Sequence, residues 1–494
     1  MSTITLINKN KVKPTDTVAY LLLAIISFIV IYTHSYVAMP RQHAMAGDQD
    51  LFYVIGRNWA EGLLPYVTAW DSKGPIVFFF NMLGYLISGD EKGIVLIEAL
   101  NFTAVLWCCH YLLTRYCNKV LSAICLTIFT ANYCTICSGG NMAGSYTLLL
   151  SALSTFLMYR WSNTLQNGKP EHPYRYSVVY GLMFAGCVLS RLTNAIMLCT
   201  GMLGILSALI HHRKWRNILG NVVAFAAGFA ILFAPFAIYF ACHNAFHDMW
   251  YASITYNIEY ALNSSPIDII KMNHPVLTFI FNDLCLITTL LIAIMELVLG
   301  IRRKTAIFWG CISLVCIIWI FNSQAYANYT ISYLPVVFVG MIELKSLRKA
   351  HIRNSRLICL TVLLVALAGA TNHARTIISQ TKNETKEVLD EADAECNLLK
   401  AIPTGDTYIL YNCRPIVYAT NDIRPYYPYF VYQDWATDKG ESLLLKVKEC
   451  FAKGDAKWII VKNYGNCHIK DILLNRYEIC KADEAFQLTL WRLK

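Results

Sequence analysis

Residues 47–87 read GDQDLFYVIGRNWAEGLLPYVTAWDSKGPIVFFFNMLGYLI. Two kinds of sequence meet in this stretch. From 50 to 61 the spacing is helical, with Phe52, Ile55, Trp59 and Leu63 on one face and Asp50, Tyr53, Arg57 and Glu61 on the other. Gly62 stands where a C-terminal cap belongs. From 75 to 88 the chain is apolar, but too short to cross a bilayer as a helix. The pattern predicts an amphipathic helix lying in a membrane interface, then a re-entrant or interfacial helix. Between them, Trp70-Asp71-Ser72-Lys73-Gly74-Pro75 sets charge beside apolar surface.

The rest of the chain supplies the membrane. Of 494 residues, 56% are hydrophobic and 15% charged, against about 25% charged in ordinary soluble proteins. Apolar runs of spanning or near-spanning length lie at 17–36, 93–114, 120–137, 142–159, 177–191, 193–210, 218–242, 276–300, 306–322, 326–343 and 356–371. The expected fold is an all-α polytopic membrane domain of about eleven transmembrane helices over residues 1–371, followed by a small α/β domain over 372–494.

The net charge of +10 sorts along this layout. Residues 372–494 are balanced, with 17 basic and 17 acidic side chains, so the excess lies in the first 371. With the N-terminus inside, inner loops hold 19 basic residues and outer loops six: Arg41, Arg57, Lys73, Lys92, Arg191 and Lys271. The positive-inside rule then explains the charge without nucleic acid and places the C-terminal domain outside a cell membrane crossed many times. A polar arm before the first run and no clear small-residue cleavage site mark that run as a retained span. Three outer segments, 37–92, 243–275 and the tail, are too long to be connectors, which puts function on the outer side.

The tail alternates helices near 383–400, 441–452 and 468–475 with strands at 407–412, 457–462, about 477–481 and 486–493, predicting a partly parallel sheet. Its five cysteines, Cys396, Cys413, Cys450, Cys467 and Cys480, would face an oxidising compartment, but their odd number and irregular spacing specify no disulfide. No His/Cys cluster has zinc spacing, so no metal ligands are assigned. No cofactor is implied, and a divalent-metal requirement is left open.

In the first outer loop, Asp48 just before the helix reads either as its N-cap or as a general base. One carboxylate suffices for an inverting sugar transfer: it takes the proton of an acceptor hydroxyl while that oxygen attacks the anomeric carbon. A phosphate leaving group needs cations, which Lys73 and Arg57 could supply. Asp71 and Lys73 could equally form an ion pair in a turn. Glu98, Arg191 and Asp283 lie in or at the ends of spans, where charge is costly and must face protein or water. Arg191, near the Gly139-Gly140-Asn141 turn, suits a phosphate or carboxylate. The tyrosines are read mainly as an interfacial belt, with Tyr426, Tyr427 and Tyr429 suited to stacking on sugar rings.

In order and spacing over these forty residues, the loop resembles the first periplasmic loop of bacterial GT-C glycosyltransferases, related to the protein O-mannosyltransferases and the lipid A aminoarabinose transferase. Shared are a loop acid, a helix, a Gly-x-x-Pro-Tyr-like turn (Gly62 to Tyr66) and a lysine element. The resemblance implies transfer from a polyprenyl-phosphate sugar to a glycan, lipid or protein acceptor, with Asp48 as catalytic base, Asp50 as second choice and Lys73 on the donor phosphate. Arg57 and Arg191 complete the phosphate set, with Asp71 and Glu98 supporting. Two departures stand out: Lys73 precedes Gly-Pro where relatives have Pro-Pro, and Asn328-Tyr329 stands where relatives often have His-Tyr. The main alternative is a polytopic transporter or flippase. It would show internal repeats with interrupted helices, which the sequence lacks, and would not need this acidic loop. A polysaccharide polymerase or ligase would carry its main outer loop late in the chain.

Overall fold

A computed structural model describes residues 14–37, 47–137, 139–262, 284–321, 327–349 and 355–494. Asp283 lies outside them, as do Arg41 and Lys271 among the outer-loop cations. The helices run α1 (Pro14–His34), α2 (Asp48–Ala60), α3 (Pro75–Ser88), α4 (Lys92–Leu113), α5 (Lys119–Ile136), α6 (Leu148–Gln166), α7 (Tyr174–Val188), α8 (Ile196–His211), α9 (Trp215–Cys242), α10 (Phe246–Trp250), α11 (Tyr256–Leu262), α12 (Leu284–Val298), α13 (Arg303–Phe321), α14 (Val336–Lys349) and α15 (Ser355–Leu399). The tail adds β1 (Tyr408–Tyr411), α16 (Ile416–Thr420), α17 (Gln433–Thr437), α18 (Glu441–Lys453), β2 (Trp458–Lys462), α19 (Lys470–Arg476), β3 (Tyr477–Asp483) and β4 (Leu488–Leu493).

Among the described residues six helical segments are long and apolar enough to cross a membrane: Thr17–His34, Lys92–Leu113, Lys119–Ile136, Leu192–His211, Trp215–Cys242 and Arg303–Ile320. Their outward faces are apolar, as a lipid-facing surface requires: Leu21, Ile25 and Ile29 on α1, and Leu219, Val223, Ile231 and Ile238 on α9, are all exposed. Inside the bundle, glycines let backbones touch. A side chain on Gly181 of α7 would collide with the Phe225 carbonyl, and one on Gly228 of α9 with that of Val178, so these two helices pack with small residues at the seam.

Three expected spans do not begin as α-helix. Short 3-10 segments, Ser145–Thr147, Leu192–Ala195 and Ala327–Tyr333, lead into α6, α8 and α14 and pack together. The run at 326–343 is therefore broken, with α14 restarting just after Pro335, which has no N–H to continue a helix. Irregular backbone at such depth survives where it is enclosed by protein or borders a cavity.

The tail forms a four-stranded sheet of order β1-β2-β4-β3, with β1 parallel to β2 and the other pairs antiparallel, as the alternating pattern predicts. All five of its cysteines are free. Unforeseen is α15, one unbroken helix of 45 residues that carries the last span into the tail, so that residue 372 falls inside it. Proline is absent from it, and only Gly369 weakens it.

The 47–88 segment departs from the expected interfacial arrangement. Both faces of α2 are covered, with every residue from Gln49 to Trp59 buried. Gly56 on α2 lies so close to Asn81 on α3 that an added Cβ would sit 2.5 Å from the Asn81 Cβ. The polar face meets the tail domain. Arg57 donates to the Tyr418 and Ile423 carbonyls and pairs with Asp422, while Glu61 pairs with Arg424. The amphipathic pattern is real, but its polar side answers to protein, not water. Gly62 takes φ +87, as a residue ending a helix does.

Candidate active site

Where the bundle meets the tail domain lies a cavity of about 450 Å³. Asp48, Asp71, Lys73 and Arg191 all line it, together with Ser72, Thr193 and the Asn328-Tyr329 pair. The local fold explains how residues so far apart in sequence meet. Gly74 N–H donates to the Ser190 carbonyl (2.9 Å) and Ile76 N–H to that of Leu189 (3.0 Å), so the turn holding Lys73 is laced to the segment ending in Arg191. A Cβ on Gly74 would sit 2.2 Å from the Leu189 carbonyl carbon. This accounts for glycine after Lys73: a proline there would lose the N–H and fill occupied space.

Asp48 is the first residue of α2, not its cap; Gly47 holds the cap position and no side chain caps the helix. The carboxylate thus sits at the positive end of the α2 dipole, half-buried and lining the cavity. Behind it, Gln49 Nε2 donates to the Gly140 carbonyl (3.1 Å), and Glu98 accepts from Asn141 N–H (2.8 Å) and the Tyr133 hydroxyl (3.2 Å). Gly139 and Gly140 take φ +78 and +75, and a Cβ on Gly140 would crowd a Glu98 oxygen at 2.7 Å. Glu98 therefore braces the turn that holds the start of α2 and does not line the cavity.

Asp71 is buried, and its oxygen accepts the Lys73 backbone N–H at 3.3 Å. Burial raises its pKa, the Lys73 charge opposes this, and Asp48 nearby adds to the rise. Arg191 stacks over the Tyr329 ring, 4.3 Å from its centroid, and donates to Asn328 Oδ1 at 3.4 Å. The pair without an assigned role in the sequence thus holds Arg191 in place.

Besides Glu98, two sequence-predicted residues are elsewhere. Arg57 is fully buried under the tail domain, its guanidinium engaged as described above, so it is not brought to the cavity as a phosphate ligand. Asp50, one turn-edge beyond Asp48, is enclosed and does not line the cavity. The tyrosine cluster is also displaced: Tyr426 and Tyr427 stack on each other (5.2 Å) and Tyr427 packs on Phe451 in the tail.

The residues that sequence reasoning passes over come from the segment after α9 and from the tail. Tyr256, Asn257 and Tyr260 of α11 line the cavity, just after a turn of π-helix at Tyr251–Thr255, as do Tyr432 and Trp435 around α17. Asn257 Nδ2 donates to the Ser72 carbonyl (2.7 Å) and the Tyr256 hydroxyl to that of Ala436 (2.8 Å), tying α11 to the Lys73 turn and to the tail. The length of segment 243–275 is the one signal for them in the sequence. Three buried donors on the wall, Trp70 Nε1, Trp319 Nε1 and Thr193 Oγ1, have no partner among the described residues. Also among the described residues, no group of three His, Cys, Asp or Glu is placed to hold a metal.

No protein-family model matches the chain, and no curated protein matches it in sequence. In structure it is similar to ArnT from Cupriavidus metallidurans, solved bound to undecaprenyl phosphate, with 11% identity, a TM-score of 0.55, and 96% of this chain and 97% of that chain covered. It also aligns with the Archaeoglobus fulgidus oligosaccharyltransferase, solved with zinc and sulfate, at 13% identity and a TM-score of 0.45, covering 95% of this chain and 72% of that one. Full-length superposition on ArnT, the helical bundle and the tail sheet together give the chain a GT-C glycosyltransferase-type fold.

Proposed function

We propose that the protein is a membrane glycosyltransferase that moves a sugar from a polyprenyl-phosphate carrier to an acceptor hydroxyl on the outer face of the cell membrane, inverting the anomeric centre. The observation that carries this reading is one cavity holding a half-buried carboxylate, Asp48, with two cations, Lys73 and Arg191, at the membrane end of the tail domain. Bound undecaprenyl phosphate in the ArnT structure supports a lipid-phosphate donor.

The chemistry follows from those groups. The acceptor oxygen attacks the anomeric carbon, its proton passes to Asp48, and the bond from that carbon to the phosphate oxygen breaks with its electron pair going to phosphate. Lys73 and Arg191 offset the charge that develops there. Asp71, hydrogen-bonded to the Lys73 backbone, orients the lysine turn. Asp50 and Arg57 are assigned no chemical role. Comparing envelope glycolipids and glycans by mass spectrometry, with and without the protein, tests the reading: loss of one hexose or pentose increment supports it, and an unchanged profile contradicts it.

A further inference from the structure

The wall of the cavity farthest in sequence from the Asp48 loop is built by the tail domain, and its character differs from the rest. Trp435 is 51% exposed, and its ring lies 6.1 Å from that of Tyr260 at an interplanar angle of 50°, an open aromatic pair at the cavity. Three residues earlier, Tyr432 takes φ +51 and ψ 34, a left-handed conformation that is strained for a bulky residue. That conformation puts its hydroxyl at the start of α2, where a Cβ on Gly47 would be only 3.4 Å away. Burial, and then the Asp48 charge beside it, raise the Tyr432 pKa, so the phenol stays protonated and able to donate. Trp70 Nε1 is a buried donor without a partner among the described residues on the same cavity wall.

An aromatic face next to carboxylates and unsatisfied donors fits the ring of a sugar, whose C–H face is apolar and whose rim is hydroxylated. A lipid chain would leave Asp71, Ser72 and Asn257 facing hydrocarbon. An extended peptide would want a free strand edge, and none of the strands lines the cavity. Taking the transferase reading above as given, we propose that residues 431–436 form the acceptor subsite and that the acceptor is a carbohydrate: its terminal sugar ring stacks on Trp435 with Tyr260, and Tyr432 fixes the attacking hydroxyl beside Asp48. In the transfer step the proton leaves that hydroxyl for Asp48, the new glycosidic bond forms to the donor's anomeric carbon, and lipid phosphate departs.

The test uses full-length protein in nanodiscs with undecaprenyl phosphate carrying tritiated glucose, mannose or arabinose. Acceptors are a panel of methyl pyranosides and short oligosaccharides, with glycerol and a threonine-containing peptide as controls. The expected result is that label passes to at least one sugar acceptor and not to the controls. In Trp435→Ala the sugar acceptor's KM should rise at least tenfold with kcat changed less than threefold, and Trp435→Phe should stay within threefold of wild type in both. Label passing as readily to the peptide or glycerol, or an unaltered KM in Trp435→Ala, would overturn the proposal. If the wild type cleaves no donor at all, the transferase reading fails instead. Saturation-transfer NMR of the same pyranosides then decides the subsite, with binding that is lost in Trp435→Ala sustaining it and no binding refuting it.

Discussion

Lys73 and Asp71 are neighbours in sequence whose roles only the cavity separates. Asp71 is buried in the wall, its carboxylate accepting the Lys73 backbone N–H, while the Lys73 side chain lines the space shared with Arg191. Removing the lysine deletes a charged hydrogen-bond donor, a loss of about 1.5–3 kcal/mol. Lys73→Ala should therefore lower kcat/KM for a polyprenyl-phosphate sugar about 10- to 150-fold. It also removes the charge that opposes the rise in the Asp71 pKa, so the Asp71 carboxyl should titrate at higher pH in the variant, read by difference infrared spectroscopy. Unchanged kinetics would take Lys73 out of the site. That Asp48, Asp71, Lys73 and Arg191 share a cavity is legible from the sequence, because charge beside apolar runs must meet water, a partner or a ligand. The same reasoning cannot separate Arg57, because pairing with a distant carbonyl satisfies a charge as well as a ligand does; only the docking of Tyr418 and Ile423 onto it decides.

At the scale of elements, the lacing of the Gly74–Ile76 turn to Leu189–Ser190 sets the distance between the two cations. Gly74→Ala would force that lacing apart, since the new methyl overlaps the Leu189 backbone. The expected outcome is destabilisation of about 1–3 kcal/mol with donor turnover reduced tenfold or more, measured by thermal unfolding and by kinetics. Wild-type turnover would mean that the lacing does not position Lys73. Local patterning finds α2 by its helical period, α3 as an apolar run and the strands of the tail as short apolar segments, because each signal lies within its own element. It does not find the 3-10 entries to α6, α8 and α14, whose geometry comes from packing against one another, nor the continuity of α15, where nothing in the polar stretch after residue 371 breaks the helix.

Across the whole molecule, α15 joins bundle to sheet and buries two acids against the tail. Glu391 pairs with Lys462 and Arg414, but Glu395, 1% exposed, has no cation paired with it and only the buried Cys413 thiol as a hydrogen-bonding neighbour among the described residues. Burial, then the Glu391 charge, push its pKa up to about 8. The folded state thus holds a proton that the unfolded chain, with an ordinary glutamate near 4.5, gives up. Stability from this group is present below about pH 4.5 and is lost as pH rises toward 8, by about 1.4 kcal/mol per pH unit at most. Glu395→Gln should flatten the fall in unfolding temperature between pH 5 and 8, and an identical fall in the variant would refute this. The junction also explains why the site escapes a reading of the first loop alone: much of the cavity wall comes from α11 and residues 431–436, which no local pattern links to Asp48. The most direct measurement is transfer of tritiated sugar from undecaprenyl phosphate to an envelope fraction by wild-type protein and Asp48→Asn, matched for unfolding temperature. Loss of transfer in the variant with donor binding retained is the predicted result, and turnover near that of the wild type would contradict Asp48 as the base.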